Sequence, residues 1–514
     1  MDAGRPHTLV FSDIHLSTAE PVDPARPLWK RYKQRDLFVD DTIARMLRAA
    51  RDMVHGRLEL ILDGDVFDFD AVTEIPSPEP WPVSWLERSR GLNPTEPKSA
   101  WKMARILDDH PIFVAALRDL LEAGHRLVFV IGNHDIELFW PAVQKVLRER
   151  LDVPDADLRV CEWFYVSNGD TLIEHGNQYD AYCLCSDPLF PTIRIPPVGD
   201  PRVRLPFGSY AARYMVNGMG FINPHVSSAW IMSMWDWLVF FYKHVAANQP
   251  FLLFTWLWGA AVSLYASLRD GILPSEADVL ELDDRVDAIA ARAQSTPRVT
   301  RALNALKAQS AVFFPWKIAR ELWLDRVFLL IAIFVVTLEI HGFVQLFATL
   351  GVFWWFALIA LVMPAFVFYA RTIQSDVDNL DWQIRQRLPT VARLLNVKRV
   401  VLGHTHREGH QFVEGVELLN AGTWSPAFSD VACTEPVGRR CVVWVRPDGP
   451  DTRSASVEAW TEQGFVVVPP ETHSDSTPLP KFPKLPKLPK IPMGTLPKMN
   501  MRRPKPPRRR AQSA

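Results

Sequence analysis

Cysteine is scarce in this sequence. The chain has 514 residues but only five cysteines, which are scattered as Cys161, Cys183, Cys185, Cys433 and Cys441. So few thiols exclude the disulfide framework on which small secreted proteins depend. Cys183 and Cys185 also lack the Cys-x-x-Cys spacing of a structural zinc site. We therefore predict free, structural thiols in a reducing cytosol.

Two further features are missing at the ends of the chain. Residues 1–7 are polar and the apolar run at 8–11 is short, so we expect no secretory signal. Residues 478–514 contain eleven Lys and Arg but no Asp or Glu. Since the whole chain has a net charge of −1, the remaining residues together carry −12. This separation of charge sets the C-terminal residues apart.

We predict that residues 470–514 form a disordered tail rich in Pro, Lys and Arg. Lysine and proline recur there with a period of three, which is typical of polyproline II, and such a composition cannot bury a core. The cations suit an anionic membrane surface, where each contributes about 1 kcal/mol. We favour this lipid contact over binding of nucleic acid, and a solubilising role is the third interpretation.

Five short motifs rich in His, Asp and Asn each follow an apolar run that is typical of a buried strand. The runs are residues 8–11, 58–62, 127–131, 171–173 and 399–402. The motifs are Asp13-Ile14-His15, Gly64-Asp65-Val66-Phe67-Asp68, Gly132-Asn133-His134-Asp135, Glu174-His175-Gly176 and Gly403-His404-Thr405-His406. Because strand ends converge, we expect these side chains to meet at one edge of a sheet. This pattern predicts an enzyme with a metal centre.

The residue types suit a centre with two divalent cations. Two ions about 3.5–4 Å apart can hold both oxygens of an in-line displacement at phosphorus and lower the pKa of a water. Carboxylate oxygen and imidazole nitrogen suit Mn, Fe and Zn. One carboxylate must bridge the ions, and an acid is needed beside the leaving-group oxygen. The motifs together offer each of these groups.

In this order the five motifs resemble the calcineurin-like metallophosphoesterase family, over residues 7–185 and 395–445. The resemblance implies an α/β fold, a four-layer α/β/β/α sandwich. It implies that Asp13, His15 and His406 hold one metal ion, that Asn133, His175 and His404 hold the second, and that Asp65 bridges them. It further implies that His134 protonates the leaving group and that Asp68 orients His134.

The first and last motifs are similar to those of the branch that contains UDP-diacylglucosamine pyrophosphatases. Two departures stand out: that branch usually has Arg where this chain has His134, and it lacks a long apolar insertion. We therefore expect a phosphoric ester or anhydride hydrolase acting on a phosphorylated small molecule or a lipid-linked substrate. Two other interpretations stay open, a membrane-anchored sensor or scaffold without turnover and a nuclease that uses the basic tail.

The spacing of the motifs predicts a divided catalytic domain. Strand-like runs alternate with amphipathic stretches, such as helices predicted at 38–55 and 104–123, which indicates an α/β layered domain. Residues 1–200 and 395–469 are predicted to be its two parts. Residues 201–394 form a helical, membrane-associated insertion between them. Within it, residues 276–326 are predicted to form a soluble helical hairpin.

Apolar tracts in the insertion predict contact with a membrane. Residues 327–350 and 351–370 are each long enough to span a bilayer, residues 251–268 are near the lower limit, and residues 229–241 are a weaker candidate. His175 and His404 must meet, so the number of crossings is even. We predict two spans and leave four open. Lys317, Arg320 and Arg326 before the tract and Arg371 after it predict that the catalytic domain faces the cytoplasm.

Overall fold

The computed structural model describes residues 6–470, apart from 155–156, 197–198, 222, most of 225–248, 277–278 and 373–379. The predicted tail and most of the weak candidate span at 229–241 therefore lie outside the described residues. The remainder is a mixed α/β structure with parallel strands and many helices.

The strands and helices of the described residues are named here in chain order. The strands are β1 (His7–Phe11), β2 (Leu58–Asp63), β3 (Arg126–Val130), β4 (Leu158–Cys161), β5 (Phe164–Ser167), β6 (Thr171–Glu174), β7 (Thr192–Ile193), β8 (Arg202–Val203), β9 (Arg399–Leu402), β10 (Glu408–Val413), β11 (Val416–Ala421), β12 (Cys441–Pro447), β13 (Arg453–Thr461) and β14 (Gly464–Val468). The helices of eight or more residues in the first half of the chain are α1 (Asp40–Met53), α3 (Glu96–Asp109), α4 (Pro111–Glu122), α5 (Pro141–Leu151), α6 (Phe207–Tyr214) and α7 (Leu252–Ile272), with the shorter α2 (Trp85–Arg90). Those that follow are α8 (Leu282–Arg292), α9 (Pro297–Leu306), α10 (Pro315–Glu321), α11 (Leu324–Gln345), α12 (Val352–Thr372) and α13 (Leu380–Leu395).

Two sheets carry the five motifs. The larger has the strand order β14-β13-β12-β1-β2-β3-β4, in which β1 to β4 are parallel and β12 to β14 are antiparallel additions. The smaller has the order β10-β11-β9-β6-β5, with β6, β9 and β11 parallel. The predicted strands before the motifs are confirmed. They read as largely apolar runs, with Glu59 as a buried exception in β2, because buried parallel strands are covered on both faces.

The prediction that the motifs meet at one edge of a single sheet was wrong. Three motifs follow β1, β2 and β3 of the larger sheet, and two follow β6 and β9 of the smaller sheet. An apolar run marks a strand but carries no information about which strand it pairs with. The strand ends of two sheets therefore supply the residues that were expected from one.

Helices cover both sheets with apolar side chains. One core cluster joins β1 to β3 with α1, α3, α4 and α5, through residues such as Ile43, Ile106 and Phe113. A second joins the smaller sheet with α8, α9 and α13. Residues 276–326, predicted as a helical hairpin, are helical as expected but contain three helices, α8, α9 and α10. The single helix predicted at 104–123 was wrong, because Pro111 has no N–H and disfavours helical geometry in the residue before it, so α3 ends and α4 begins there.

A buried polar network ties the two sheets together near the start of the parallel strands. The Glu59 carboxylate of β2 accepts hydrogen bonds from the Tyr165 hydroxyl (2.7 Å) and the Ser167 hydroxyl (2.5 Å) of β5. The Arg453 guanidinium of β13, which is fully buried, donates to the Ser167 carbonyl (3.0 Å) and pairs with Asp170. The two sheets are thus joined at the end opposite the motifs.

Arg453→Ala is expected to destabilise the fold by about 3 kcal/mol, because it removes the nearer of the two buried arginines that pair with Asp170 and also the hydrogen bond to the Ser167 carbonyl. Urea unfolding in detergent, followed by tryptophan fluorescence, measures the loss. The matched control is Arg393→Ala, which removes an exposed pair with Glu414 and should cost less than about 1 kcal/mol. Equal losses in the two variants would contradict the role given to the network.

Helix α7, predicted as a candidate span at 251–268, packs along one face against protein. Its buried face carries Gly259, Ser263 and Ser267, and Ser263 donates a hydrogen bond to the Tyr210 carbonyl of α6 (3.1 Å). Its other face is exposed and apolar, with Phe254 68% accessible. The small residues let α7 lie close to α6.

Two other helices, α11 and α12, are long and apolar enough to cross a membrane. Their mean hydropathies are 2.5 and 2.1, and few of their side chains are buried. They pack as a pair in which the Trp355 indole donates to the Thr337 hydroxyl (3.1 Å) and the Tyr369 hydroxyl donates to Asp325 (2.9 Å). Length and composition thus give weak evidence for association with a membrane at this hairpin.

Candidate metal centre

The predicted ligands gather where the five loops leave their strands. Backbone hydrogen bonds align the first two loops, since the amides of Asp13 and His15 donate to the carbonyls of Gly64 (3.1 Å) and Asp65 (2.9 Å). The last loop joins the first, because the His404 amide donates to the Asp13 carboxylate (3.1 Å). Hydrogen bonds therefore hold the first, second and last loops in fixed positions relative to one another.

The first group that could hold a metal ion consists of Asp13, His15 and His406, with one ligand atom from each within 4.8 Å of the others. Nε2 of His406 lies 3.2 Å from Asp13 Oδ1 and 3.2 Å from Nε2 of His15. Two imidazole nitrogens and a carboxylate oxygen thus face one another. This is the donor set that a divalent transition metal prefers.

The second group consists of Asp65, His175 and His404, again within 4.8 Å. The His175 Nδ1 donates to the Asp63 carbonyl (2.8 Å), so its Nε2, 3.1 Å from Asp65 Oδ2, is left to bind a cation. Such a hydrogen bond on the far ring nitrogen is the usual support of a metal-binding histidine. Burial disfavours charge on Asp65, but His175 and His134 more than offset it and hold the pKa of that carboxyl well below its usual range.

Asp65 links the two groups. It also forms a group with His15 and His134, and its Oδ1 accepts the His134 amide (2.8 Å). Asp65 is therefore close to ligands of both predicted metal ions, as a bridging carboxylate must be.

Asn133, the one predicted amide ligand, has a buried oxygen with no protein partner. Its Oδ1 makes no hydrogen bond to any of the described residues. A buried polar atom left in this way costs about 1–3 kcal/mol unless something else binds it. A bound cation would satisfy such an oxygen, so the residues present fit the metal ions that the sequence predicted.

The backbone of the ligand loops adopts a rare conformation. Five of the seven predicted ligands have positive φ: Asp13 (53°), His15 (54°), Asp65 (50°), His404 (66°) and His406 (56°). Non-glycine residues seldom enter this left-handed region, and such outliers cluster at functional sites. The surrounding loops therefore hold these side chains towards one another at a conformational cost.

Gly132→Ala is expected to lower the metal affinity about 10-fold or more, because there is no room for a methyl group at this position. A Cβ at Gly132 would lie 2.5 Å from the Asp65 nitrogen and 3.0 Å from the His175 ring. Metal content after dialysis, measured by inductively coupled plasma analysis, tests this. Gly409→Ala, where a Cβ would contact nothing within 4 Å, is the matched control and should keep its metal.

His134 and Asp68 lie together beside the two groups, as predicted. The His134 Nδ1 is 3.4 Å from Asp68 Oδ1, and that oxygen also accepts the Ala71 amide (3.0 Å). Burial lowers the pKa of His134, but Asp68 and Asp65 outweigh it and raise the pKa to about 10. The two carboxylates therefore favour the protonated imidazole, which is the form that can donate a proton.

Sequence reasoning missed two carboxylates that support the ligands. Asp180 Oδ2 lies 3.1 Å from the His404 Nε2, which leaves Nδ1 as the remaining ring nitrogen for a ligand. Asp135 accepts the amides of Val66 (2.9 Å) and Gly132 (2.6 Å) and so joins the second and third loops. Asp135 was visible within its motif. Asp180 is harder to recognise in the sequence as a supporting residue, because it lies five residues after His175 and outside any motif.

The cysteines contribute no disulfide. All five are free, as predicted. Cys183 lies near Asp180 and His404 in a further group that could hold a metal ion. Burial raises the pKa of the Cys183 thiol well above its usual range, so the sulfur stays protonated and is a poor ligand.

An open cleft adjoins His134 and His406. Its walls are mostly apolar and include Leu16, Phe38, Val39, Val216 and Pro426. Residues just after α6 supply part of this wall, so the insertion borders the cleft. Any substrate held here would place its reacting group at the histidines and its remaining atoms against an apolar surface.

Comparison with known proteins does not identify the chain. No family model matches it, and no curated protein matches it. The chemistry of this site therefore rests on its residues and their geometry.

Proposed function

We propose that the protein is a metal-dependent hydrolase of phosphate esters or anhydrides that resembles the calcineurin-like metallophosphoesterases. The observation that carries the proposal is that four of the five loops supply two groups of possible ligands, and that Asp65 of the second group also lies with His15 of the first and with His134 of the remaining loop. The unpaired oxygen of Asn133 and the strained backbone of the ligand loops support it independently.

Each site residue has a role in this proposal. Asp13, His15 and His406 would hold one ion, Asn133, His175 and His404 the other, and Asp65 both. The ions, Mn, Fe or Zn, supply Lewis acidity and an activated water when bound. His134 protonates the leaving-group oxygen, and Asp68 holds the imidazole in place and keeps it charged.

The finer fold belongs to the same proposal. We infer a four-layer α/β/β/α sandwich with a membrane-associated helical insertion. The separate helix clusters on each sheet and the side chains that join the sheets support the layering. The apolar α11–α12 hairpin supports the membrane insertion.

Association with a membrane also suggests a class of substrate. We propose a membrane-associated or lipid-linked phosphate substrate, with the catalytic domain on the cytoplasmic side. The apolar wall of the cleft and the exposed apolar hairpin support this choice. Lys317, Arg320, Arg326 and Arg371 beside the hairpin favour the orientation. Contact of the basic tail with anionic lipid is part of the same proposal.

The test is turnover by full-length protein purified in detergent, stripped of metal with a chelator and reloaded with Mn²⁺, Fe²⁺ or Zn²⁺. Bis-p-nitrophenyl phosphate and phospholipids with different head groups serve as substrates. We expect turnover that requires metal and two ions bound per chain. A folded protein that binds no metal would favour the scaffold interpretation. Nucleic-acid cleavage lost on deletion of residues 478–514, with ester hydrolysis kept, would favour the nuclease.

A further inference from the structure

Helix α6 of the insertion lies directly on the loops that carry the site. The Ser209 hydroxyl donates to the Asn133 carbonyl (3.3 Å). Just beyond the helix, the Asn217 amide donates to the Asp70 carbonyl (2.8 Å). The Gly208 amide donates to the Tyr182 carbonyl (2.9 Å), in the loop that follows His175. Three loops from two sheets thus contact one short segment.

The hydrogen bonds made by the Ser209 and Asn217 side chains have the same arrangement. The carbonyl that accepts from Ser209 belongs to the peptide group whose N–H, that of His134, donates to the Asp65 carboxylate (2.8 Å). The carbonyl that accepts from Asn217 belongs to the peptide group whose N–H, that of Ala71, donates to the Asp68 carboxylate (3.0 Å). Each insertion side chain therefore fixes a peptide plane that orients a carboxylate of the site.

The α6 segment is itself held firmly. The buried Arg213 donates to the carbonyls of Gly91 (2.7 Å) and Leu92 (2.9 Å). Behind α6, a Cβ at Gly259 of α7 would lie 2.6 Å from the Tyr214 carbonyl, so the two helices are in close contact. Because α6 cannot shift without breaking these contacts, it can hold the loops that are hydrogen-bonded to it in fixed positions.

From this arrangement we propose that Ser209 and Asn217 are positioning residues for the general acid His134. Ser209 fixes the peptide that carries His134, and Asn217 fixes the turn that carries Asp68, so the distance between His134 and Asp68 depends on the insertion. The inference rests on the proposed function, because it assigns a role within that reaction. Under this proposal, residues of the insertion contribute to the geometry of the active site.

The leaving group distinguishes this role from general support of the fold. Nitrophenolate departs without a proton, whereas the more basic phenolate of diphenyl phosphate needs one from His134. Ser209→Ala and Asn217→Ala should therefore reduce kcat on diphenyl phosphate by about 10-fold or more and on bis-p-nitrophenyl phosphate by less than about 3-fold. Metal content should not change.

Two matched controls remove equivalent hydrogen bonds elsewhere. Thr300→Ala deletes a buried hydroxyl that donates to the Thr296 carbonyl (3.4 Å), and Gln144→Ala deletes an amide that donates to the Leu138 carbonyl (2.9 Å). Both should leave the ratio of the two rates unchanged. Amide hydrogen exchange gives a second measurement without activity, since the N–H groups of His134 and Ala71 should exchange faster in the two test variants than in the controls.

The outcomes separate the two proposals. Active wild-type protein whose test variants lose both rates equally, or lose neither, would overturn the positioning role and leave the proposed function standing. Wild-type protein that turns over neither ester with any metal would overturn the proposed function and the positioning role with it. Unchanged exchange at His134 and Ala71 would also count against the positioning role.

Discussion

Asp65→Asn is expected to abolish metal-dependent turnover, with a loss of more than about 100-fold on every phosphate ester. Loss of a residue that only supports a ligand costs about 10- to 100-fold, and Asp65 contacts both groups directly. The amide keeps the shape of the carboxylate but removes its charge and one acceptor oxygen. The amide has only one acceptor oxygen, so the side chain would lose its contact either with His175 Nε2 or with the His134 amide.

The measurement combines kcat/KM on bis-p-nitrophenyl phosphate with metal content. The matched control is Asp36→Asn, which makes the same chemical change at an exposed carboxylate paired with Arg31. The control should keep full activity and both ions. If Asp65→Asn bound two ions and hydrolysed esters at the wild-type rate, Asp65 would not be the bridging ligand, and the two-metal proposal would fail.

The ligand residues could be predicted from the sequence because they directly follow parallel strands, which are easy to recognise in a sequence. A strand such as β2 is buried along its whole length and reads as an apolar run, so the first polar residues after it mark a strand end. Asp65 follows β2 in this way, and His404 follows β9. The local sequence thus contains both the strand and its ligand.

What could not be predicted depends on contacts between distant residues. The pairing of β9 with β6 and β11, rather than with β1, cannot be read from the local sequence, so the motifs could not be divided between two sheets; only the family resemblance implied two β layers. Asp180 supports His404 across 224 positions of sequence. Ser209 and Asn217 bind backbone carbonyls, which every residue possesses, so no side-chain pattern could point to their partners.

The insertion illustrates the same limit in another form. Composition predicted that residues 251–268 and 327–370 are apolar, and both are helical. It did not distinguish a helix with one packed face from a helix without one. Asp270, which is buried and pairs with Arg202 of β8, follows the apolar stretch of α7 and anchors that helix to the first residues of the insertion. A few small and polar residues on one face therefore determine whether an apolar helix packs against the rest of the protein.

His134→Ala is expected to separate esters by their leaving groups. Without the general acid, kcat on diphenyl phosphate should fall by about 10²- to 10⁴-fold, whereas bis-p-nitrophenyl phosphate should lose far less. His55→Ala, at an exposed histidine outside the site, is the control and should alter neither rate. Equal losses on both esters would mean that His134 serves the metal centre and not the leaving group.

The pH dependence adds an independent check through Asp68. The Asp68 carboxylate raises the pKa of His134 by stabilising the protonated ring, so Asp68→Asn should lower that pKa. A lower pKa means that the proton is lost at a lower pH. The alkaline decline of kcat on diphenyl phosphate should therefore begin at lower pH in Asp68→Asn than in the wild type. It should be absent in His134→Ala, which has no imidazole to deprotonate, and an unmoved decline in Asp68→Asn would assign the titration to another group.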